Sequence, residues 1–301
     1  MPVTDYDLAA TVCSGQAFRW QLVNGGWESV VHERWVRLEQ NPGTSDPIQV
    51  TTIEPQTEWS WLETYLQTGI QLSSILATFP NDIPLTEAVR ACRGLRLLQQ
   101  DPWECLSGFI LSSTKQIVQI RQCVEHLCRR AGRPVPAPAG TPWAFAFPSA
   151  SEVAALEEPA LRECRMGFRA PYLRNAACTV AEGRLDLESL RTLSTAEARI
   201  QLMALHGVGR KIADCVLLFA YGRQDAFPAD VWILKVLKHL YFPNRKPSPQ
   251  RLQRFVDTHF GPNAGYAQQY LFHHARVHLG ATLAPPRSLP HPKRSPIRAS
   301  R

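Results

Sequence analysis

Two hydrophobic rhythms divide the chain. Over the first fifty residues apolar positions come in short aromatic and β-branched runs, AFRWQL, WESVVH and WVRLEQ, separated by the turn signals Asn24-Gly25-Gly26 and His32-Glu33-Arg34. A fourth run, PIQVTTI from Pro47, follows the turn-rich NPGTSD. The spacing predicts four short strands of an antiparallel sheet. From Thr57 the period lengthens: Trp59, Leu62 and Leu66, then Leu72, Ile75 and Leu76, recur at helical spacing. Helical patterns dominate the remainder, PWECLSGFILSS and KQIVQIRQCVEHLCRRAG among them. RPVPAPAGTPWAFAFPS carries five prolines, but its aromatic residues predict an ordered loop packed on the helices rather than a linker. The fold class is α+β: an N-terminal small antiparallel sheet plus helices over residues 1–107, a helical domain over 108–283, and a basic tail over 284–301.

One stretch breaks the helical rhythm. Ser194-Thr195-Ala196-Glu197 is a capping box opening a helix whose apolar residues Ile200, Met203 and Ala204 recur at helical spacing. His206-Gly207-Val208-Gly209 interrupts it, and a second helix runs from about Arg210 through Ala213, Val216, Leu217 and Ala220 to a stop at Gly222. Helix, four-residue glycine turn and helix make a helix–hairpin–helix over 195–222. The glycines Gly207 and Gly209 allow close backbone approach, and the amides at the second helix's N-terminus suit a DNA phosphate. Lys211 follows directly. It is open to three readings: a surface residue, a phosphate contact, or a nucleophile.

Two other glycine motifs are excluded. A phosphate loop of the GxxxxGK[ST] kind needs a hydroxyl after the lysine, and a dinucleotide fingerprint needs a small residue where Ile212 stands. The following AFPADVWILKVLKHL places Asp230 just before an apolar run at Val231, Leu234, Leu237 and Leu240, the position of a helix N-cap. Asp214, three residues after Lys211 on the same helix, is a rival carboxylate with a structural role the better reading. A free lysine with pKa near ~10.4 is almost wholly protonated at neutral pH, so nucleophilic chemistry calls for burial to prevail over the nearby carboxylate.

Composition refines this picture. The 301 residues carry 33 Lys and Arg against 26 Asp and Glu, a formal charge of +7. Five of those cations, Arg287, Lys293, Arg294, Arg298 and Arg301, lie in the proline-rich tail from Ala284, leaving +2 for the rest. The tail is expected to be disordered and to add, at most, sequence-independent affinity for phosphates. No basic and apolar leader opens the chain and no apolar run is long enough to span a bilayer, so an intracellular protein is expected, in a nucleus or in bacterial cytoplasm and nucleoid. Eight scattered cysteines form no CxxC pair, and none follows Cys215. His274 and His278 share a helix face without a third ligand near them, so no metal site is expected.

Lys211 and Asp230 across a turn resemble the helix–hairpin–helix DNA glycosylase superfamily. GVGRKIADC (Gly207 to Cys215), SGQAFRW (Ser14 to Trp20), FPADV around Asp230, YAQQYLF (Tyr266 to Phe272) and MGFRAPY (Met166 to Tyr172) together resemble the 8-oxoguanine DNA glycosylase/AP lyase family over nearly the whole chain. The missing C-terminal cysteines set it apart from the iron–sulfur branches. The resemblance implies that Lys211 displaces the damaged base and forms a Schiff base, with β-elimination following, while Asp230 stabilises charge on the sugar. It implies that the Gly15 carbonyl accepts from N7–H of 8-oxoguanine, that Cys215 and Phe272 sandwich the flipped base, and that Gln268 reads its Watson–Crick edge. Phe168 would enter the duplex, Arg169 would meet the orphaned cytosine, and Lys115, Gly207, Val208 and Gly209 would contact DNA. The partner is double-stranded DNA with damaged bases, bound by a monomer without a redox cofactor or iron–sulfur cluster; a monovalent cation at the hairpin is allowed for.

From the residues alone the alternatives are Phe272 as core, Gly15 as a turn residue and Gln268 as a solvated helix position. Two departures stand out: Thr114-Lys115-Gln116 replaces an asparagine triplet, with Gln119 where arginine is expected, and Trp232 replaces a histidine two residues after Asp230. The first predicts weakened selection for cytosine opposite the lesion; the second affects one phosphate or lesion contact. The alternatives are an alkylpurine glycosylase and a non-enzymatic helix–hairpin–helix DNA-binding protein.

Overall fold

The computed structural model describes residues 1–41, 46–245 and 247–279. The predicted tail, 284–301, lies outside them. Asp7 accepts the Ala10 amide at 2.8 Å and starts α1, Leu8–Cys13. A four-stranded antiparallel sheet follows in chain order: β1 (Gln21–Val23), β2 (Gly26–Val31), β3 (Arg34–Glu39) and β4 (Gln49–Thr52). Two-residue turns, Asn24-Gly25 and His32-Glu33, join the first three strands with φ of 46°, 80°, 45° and 63°. Positive φ at both positions gives the twist that a tight hairpin needs.

The run AFRWQL is not the strand its apolar pattern predicts; only its last two residues enter β1. Ala17, Phe18 and Trp20 are buried and Arg19 half-buried in a coil whose polar groups find side-chain and loop partners instead of a ladder. The Gln16 amide donates to the carbonyls of Thr11 (2.9 Å) and Arg96 (2.8 Å) and accepts from the Leu98 amide (2.7 Å), while the Trp20 indole donates to the Tyr65 hydroxyl at 3.0 Å. These bonds tie the SGQ segment to residues some eighty positions away.

Both faces of the sheet are covered. Val31, Val36, Leu38 and Ile48 share a core with Trp20, Leu62 and Leu66. Val30 and Trp35, on the opposite face, pack with Val135, Ala137, Trp143 and Ala144. The proline-rich loop is therefore ordered and packs on the helical core through Phe145 and Phe147, as expected, and also on the sheet through Val135, Ala137 and Trp143. The Trp103 indole adds a hydrogen bond to the Pro148 carbonyl at 2.9 Å.

The helical body is built from α2 (Ser60–Leu66), α3 (Leu72–Leu76), α4 (Ile83–Ala91), α5 (Pro102–Leu111), α6 (Ile117–Ala131), α7 (Ala150–Ala154), α8 (Glu158–Glu163), α9 (Ala170–Ala181), α10 (Thr195–Met203), α11 (Arg210–Tyr221), α12 (Val231–Tyr241), α13 (Pro249–His259) and α14 (Ala264–His278). Two helices form its centre. Every residue of α5 except Glu104 is buried, as is every residue of α11 from Ile212 to Ala220. A helix apolar all round has no solvent face to offer, so the others pack around these two. Phe109 of α5 stacks on Phe219 of α11 at 5.5 Å. Each fully buried Leu on this pair, such as Leu106 or Leu217, contributes roughly 1.5–3 kcal/mol. The C-terminal α14 packs against α4 and α12, bringing the last described helix back to the N-terminal region.

The helix–hairpin–helix forms as its capping signals predict. Ser194 and Glu197 cap α10 reciprocally, Gly209 is the N-cap of α11, and Gly222 ends α11 at φ 65°. The apolar face of α10 differs from the expected one: Ala198 and Leu202 are buried, while Ile200 is 70 % and Met203 44 % exposed. Gly209 gives way to Arg210 with open space around its Cα, whereas a Cβ on Gly207 would come within 2.6 Å of the Tyr172 ring. Gly207, at φ 84°, is thus required by its own backbone and by packing inside the chain.

Candidate active site

Lys211 occupies the second position of α11 and is half-buried. Its Nζ donates to the Ser112 hydroxyl at 3.1 Å and lies 5.2 Å from the centre of the Phe109 ring. The hydroxyl and the ring face aim the amine at a specific place. That place is a cavity of about 50 Å³ bordered by Gly15, Phe109, Lys211, Cys215, Asp230 and Phe272, with Gln268 and Phe219 also on its wall.

Each wall residue has a local reason for its position. Asp230 caps α12, accepting the Ile233 amide through Oδ1 at 2.7 Å, so the cap fixes the carboxylate at the cavity's edge. Cys215, one turn beyond Lys211 on the same face of α11, is buried, and burial pushes its thiol up to about 12 despite the neighbouring Lys211. It therefore acts as an apolar wall, not as a thiolate. Gly15 has φ 85°, and a Cβ there would meet Ile117 at 2.8 Å and Phe272 at 3.6 Å. A glycine is needed for the backbone to border the cavity.

Gln268 and Phe272 lie one turn apart on α14, on the same side. Gln268 is 4 % exposed and its Oε1 has no hydrogen-bond partner. A buried acceptor left without a donor costs about 1–3 kcal/mol, so this atom is a group held in reserve for something that enters. The solvated-helix reading of Gln268 is excluded by this burial. Asp214 takes the structural role expected of it: it is 1 % exposed and pairs with Arg199 at 2.6 Å and Arg210 at 3.5 Å. Its charge is spent away from the cavity.

The duplex-facing candidates are arranged differently. Phe168, on the 3-10 turn Gly167–Arg169, is 52 % exposed. It leads through Tyr172 (6.3 Å) to His206 of the hairpin (4.8 Å), so the exposed ring and the hairpin share one surface. Val208 is buried and anchors the hairpin from inside. Arg169, expected to point at a base, is instead 5 % exposed. Its guanidinium donates to the carbonyls of Ser113 and Met166 and to the Thr114 hydroxyl, and it lies 4.2 Å over the Phe168 ring. Lys115 donates to the Arg165 carbonyl at 3.1 Å, and the Gln119 side chain accepts from the Gln116 amide at 3.1 Å. Carbonyls of the two facing loops draw Arg169 and Lys115 inward. Trp232 is half-buried with its indole N–H unpartnered.

Sequence reasoning missed Ser112 and Phe109, which orient the amine, and Gln269 on the cavity wall. The signal for Ser112 was present as the first polar residue after a wholly apolar helix end. Nothing in the chain linked it to Lys211, 99 residues on.

The arrangement is a class of site: a lysine and a carboxylate at a small cavity, beside a glycine hairpin with Gly207 and Gly209 exposed. Residues 1–106 match the family described as 8-oxoguanine DNA glycosylase, N-terminal domain, and residues 107–260 match the HhH-GPD superfamily base excision DNA repair protein. The chain belongs to the helix–hairpin–helix superfamily of base-excision DNA repair proteins and, within it, to the 8-oxoguanine DNA glycosylases. It is 29 % identical over 302 residues to a probable N-glycosylase/DNA lyase from Methanothermobacter thermautotrophicus, covering 92 % of this chain and 95 % of that one. Among solved structures, MBOgg1 in complex with a low affinity DNA ligand superposes with a TM-score of 0.85 at 34 % identity, covering 92 % of this chain and 94 % of that one. The 8-oxoguanine glycosylase/lyase of Clostridium acetobutylicum, in complex with double-stranded DNA containing cytosine opposite 8-oxoG, gives 0.83 at 31 % identity, over 90 % and 92 % of the two chains.

Proposed function

We propose that the chain is a bifunctional glycosylase and lyase that excises 8-oxoguanine from duplex DNA and then nicks the strand at the emptied site. The observation that carries this reading is the convergence of Gly15, Lys211, Cys215, Asp230, Gln268 and Phe272 on one cavity. A cavity of about 50 Å³ has room for a few waters and not for a purine, so its walls part when the base enters.

The chemistry follows from the placement. The lone pair of the Lys211 amine attacks C1′ of the flipped nucleotide, the bond from C1′ to N9 breaks, and the base leaves with the electron pair and takes up a proton. Asp230, fixed by its cap, offsets positive charge on the sugar while that bond breaks. Loss of the amine protons and opening of the sugar ring give the imine. Removal of a C2′ proton then expels the 3′ phosphate and cuts the strand. Cys215 and Phe272 sandwich the base, Gln268 supplies the waiting Oε1 to its Watson–Crick edge, and the Gly15 carbonyl accepts the N7–H that guanine lacks. Phe168 fills the stack that the base vacates, and the hairpin takes a backbone phosphate through its exposed glycines Gly207 and Gly209, while the Val208 amide stays bonded to the Leu205 carbonyl. A single copy of the chain suffices for all of these contacts.

Borohydride reduction of the imine tests the reading. A duplex with 8-oxoguanine is expected to become covalently joined to the wild-type protein and not to Lys211→Ala. Joining that persists in Lys211→Ala would move the nucleophile elsewhere.

A further inference from the structure

Cys13, Ser14 and Gly15 form the short segment that borders the base cavity from the N-terminal side, and α14 grips it at two points. The Gln269 side-chain amide donates to the Ser14 carbonyl at 3.1 Å, and the Arg276 guanidinium donates to the Cys13 carbonyl. The same guanidinium lies 5.9 Å from the centre of the Phe272 ring, and its Nη1 would be 3.2 Å from a Cβ on Gly15. Phe272 and Arg276 are one helical turn apart on α14, so the ring and the cation stand together. Arg276 therefore touches both walls between which a base must fit.

Its situation is costly. Arg276 is half-buried, and none of the ion pairs among the described residues includes it. A desolvated guanidinium satisfied by a backbone carbonyl rather than a carboxylate is not how a surface helix gains stability. What it does gain is a fixed distance between α14 and the Gly15 segment. A charge-assisted bond to a carbonyl is stiffer and stronger than a neutral one.

We infer that Arg276, assisted by Gln269, is a positioning residue for lesion recognition: it ties the Gly15 segment to the Phe272 wall and so sets where the Gly15 carbonyl meets N7 of the base. This rests on the proposed 8-oxoguanine activity and deepens it. The difference between the damaged and the normal base at that atom is one hydrogen, a donor against an acceptor. Reading it requires the carbonyl to be held in place, because a carbonyl free to retreat neither rewards the donor nor penalises the acceptor. Arg276 touches no reacting atom. An abasic nucleotide has no base to be read, so strand cleavage at a preformed abasic site does not depend on this clamp.

The two activities separate the outcomes. Arg276→Met keeps length and packing on Phe272 but removes the donor; Arg276→Lys keeps a donor. Single-turnover excision of 8-oxoguanine is expected to fall by more than about tenfold in Arg276→Met, with cleavage of a preformed abasic site within about twofold of wild type, and to recover most of its rate in Arg276→Lys. Unchanged excision, a parallel loss of both activities, or no recovery with lysine would overturn the inference. Should Arg276→Met fail to fold, Gln269→Leu removes the second tether and is read in the same way. A wild-type protein that cleaves abasic sites yet leaves 8-oxoguanine in place would overturn the substrate assignment, and this inference with it.

Discussion

The base cavity and the proposed duplex-facing loops adjoin each other at one end of the same helix pair, where Ser112 reaches Lys211, yet they stand in opposite states. Around the cavity, groups are held apart from partners: the Gln268 acceptor is unfilled, the Gly15 backbone borders it, and Lys211 is aimed by Ser112. On the duplex side, polar groups are satisfied by each other: Arg169 is folded onto Ser113 and Thr114, Lys115 onto Arg165, and Gln119 onto Gln116. The difference is in what backs each region. Most of the cavity wall comes from α5, α11 and α14, which are packed in the core, so an unsatisfied atom can be tolerated there in the free protein. The loops at 112–116 and 165–169, anchored in the core through Met166, close on each other through Arg169 and Lys115. Under the proposed function the reactive groups are oriented in advance, whereas recognition of the opposite strand requires existing bonds to be exchanged.

The largest effect expected from this contrast is at Asp230. Asparagine caps helices as well as aspartate does, so Asp230→Asn should leave the melting temperature within about 2 °C of wild type. It removes the charge that faces the sugar, so single-turnover excision should fall by about 10²-fold or more. A large drop in melting temperature with little change in rate would reduce Asp230 to its cap.

On the other side of the comparison, the opposite base should be poorly selected. Thr114, Lys115, Gln116 and Gln119 stand where the family resemblance expects asparagines and an arginine, and in the free protein those side chains serve the loops themselves. Excision rates on duplexes pairing 8-oxoguanine with C, T, G and A are expected to differ by less than about tenfold, roughly the worth of one net hydrogen bond. A strong preference for C alone would show that the loops reopen into a selective reader.

The pocket side also predicts a pH response. His273 on α14 is 8 % exposed, and burial, reinforced by the nearby Arg276, His278 and His274, lowers its pKa to about 4. A histidine neutral when folded and ordinary when unfolded gives stability that is present above about 6.5 and lost as pH falls toward 4. The denaturation midpoint should therefore decline over that window, and His273→Gln should flatten the decline. An equally steep decline in the variant would assign it to other groups.

The smallest effect is a gain. Gln268→Leu removes a buried acceptor without a partner, so folding stability should rise by up to about 1 kcal/mol while excision falls. A loss of stability would mean that the amide is already satisfied by water.

How much of this was legible in the chain depends on how far the contacts reach. The hairpin, its capping box at Ser194 and Glu197, and the Asp230 cap are set by neighbours three or four residues away, and each forms as the sequence predicts. The convergence of Gly15 with Phe272 was accessible only through the resemblance, because no local pattern joins positions 257 residues apart. Ser112 and Arg276 escaped for the same reason: their roles exist only once α5 and α14 are packed. AFRWQL misled in the opposite way. Its apolar run is buried, but by side-chain bonds from Gln16 and Trp20 rather than by a strand partner. The face of α10 misled too, since apolarity at Ile200 and Met203 did not bring burial.

The central claim is that one amine, held at the cavity by Ser112 and Phe109, carries the chemistry. Mass-spectrometric mapping of the borohydride-reduced protein–DNA joint tests it most directly. The account predicts a single modified peptide containing Lys211; modification at Lys115, the half-buried lysine of the duplex-facing loop, or spread over several lysines would contradict it.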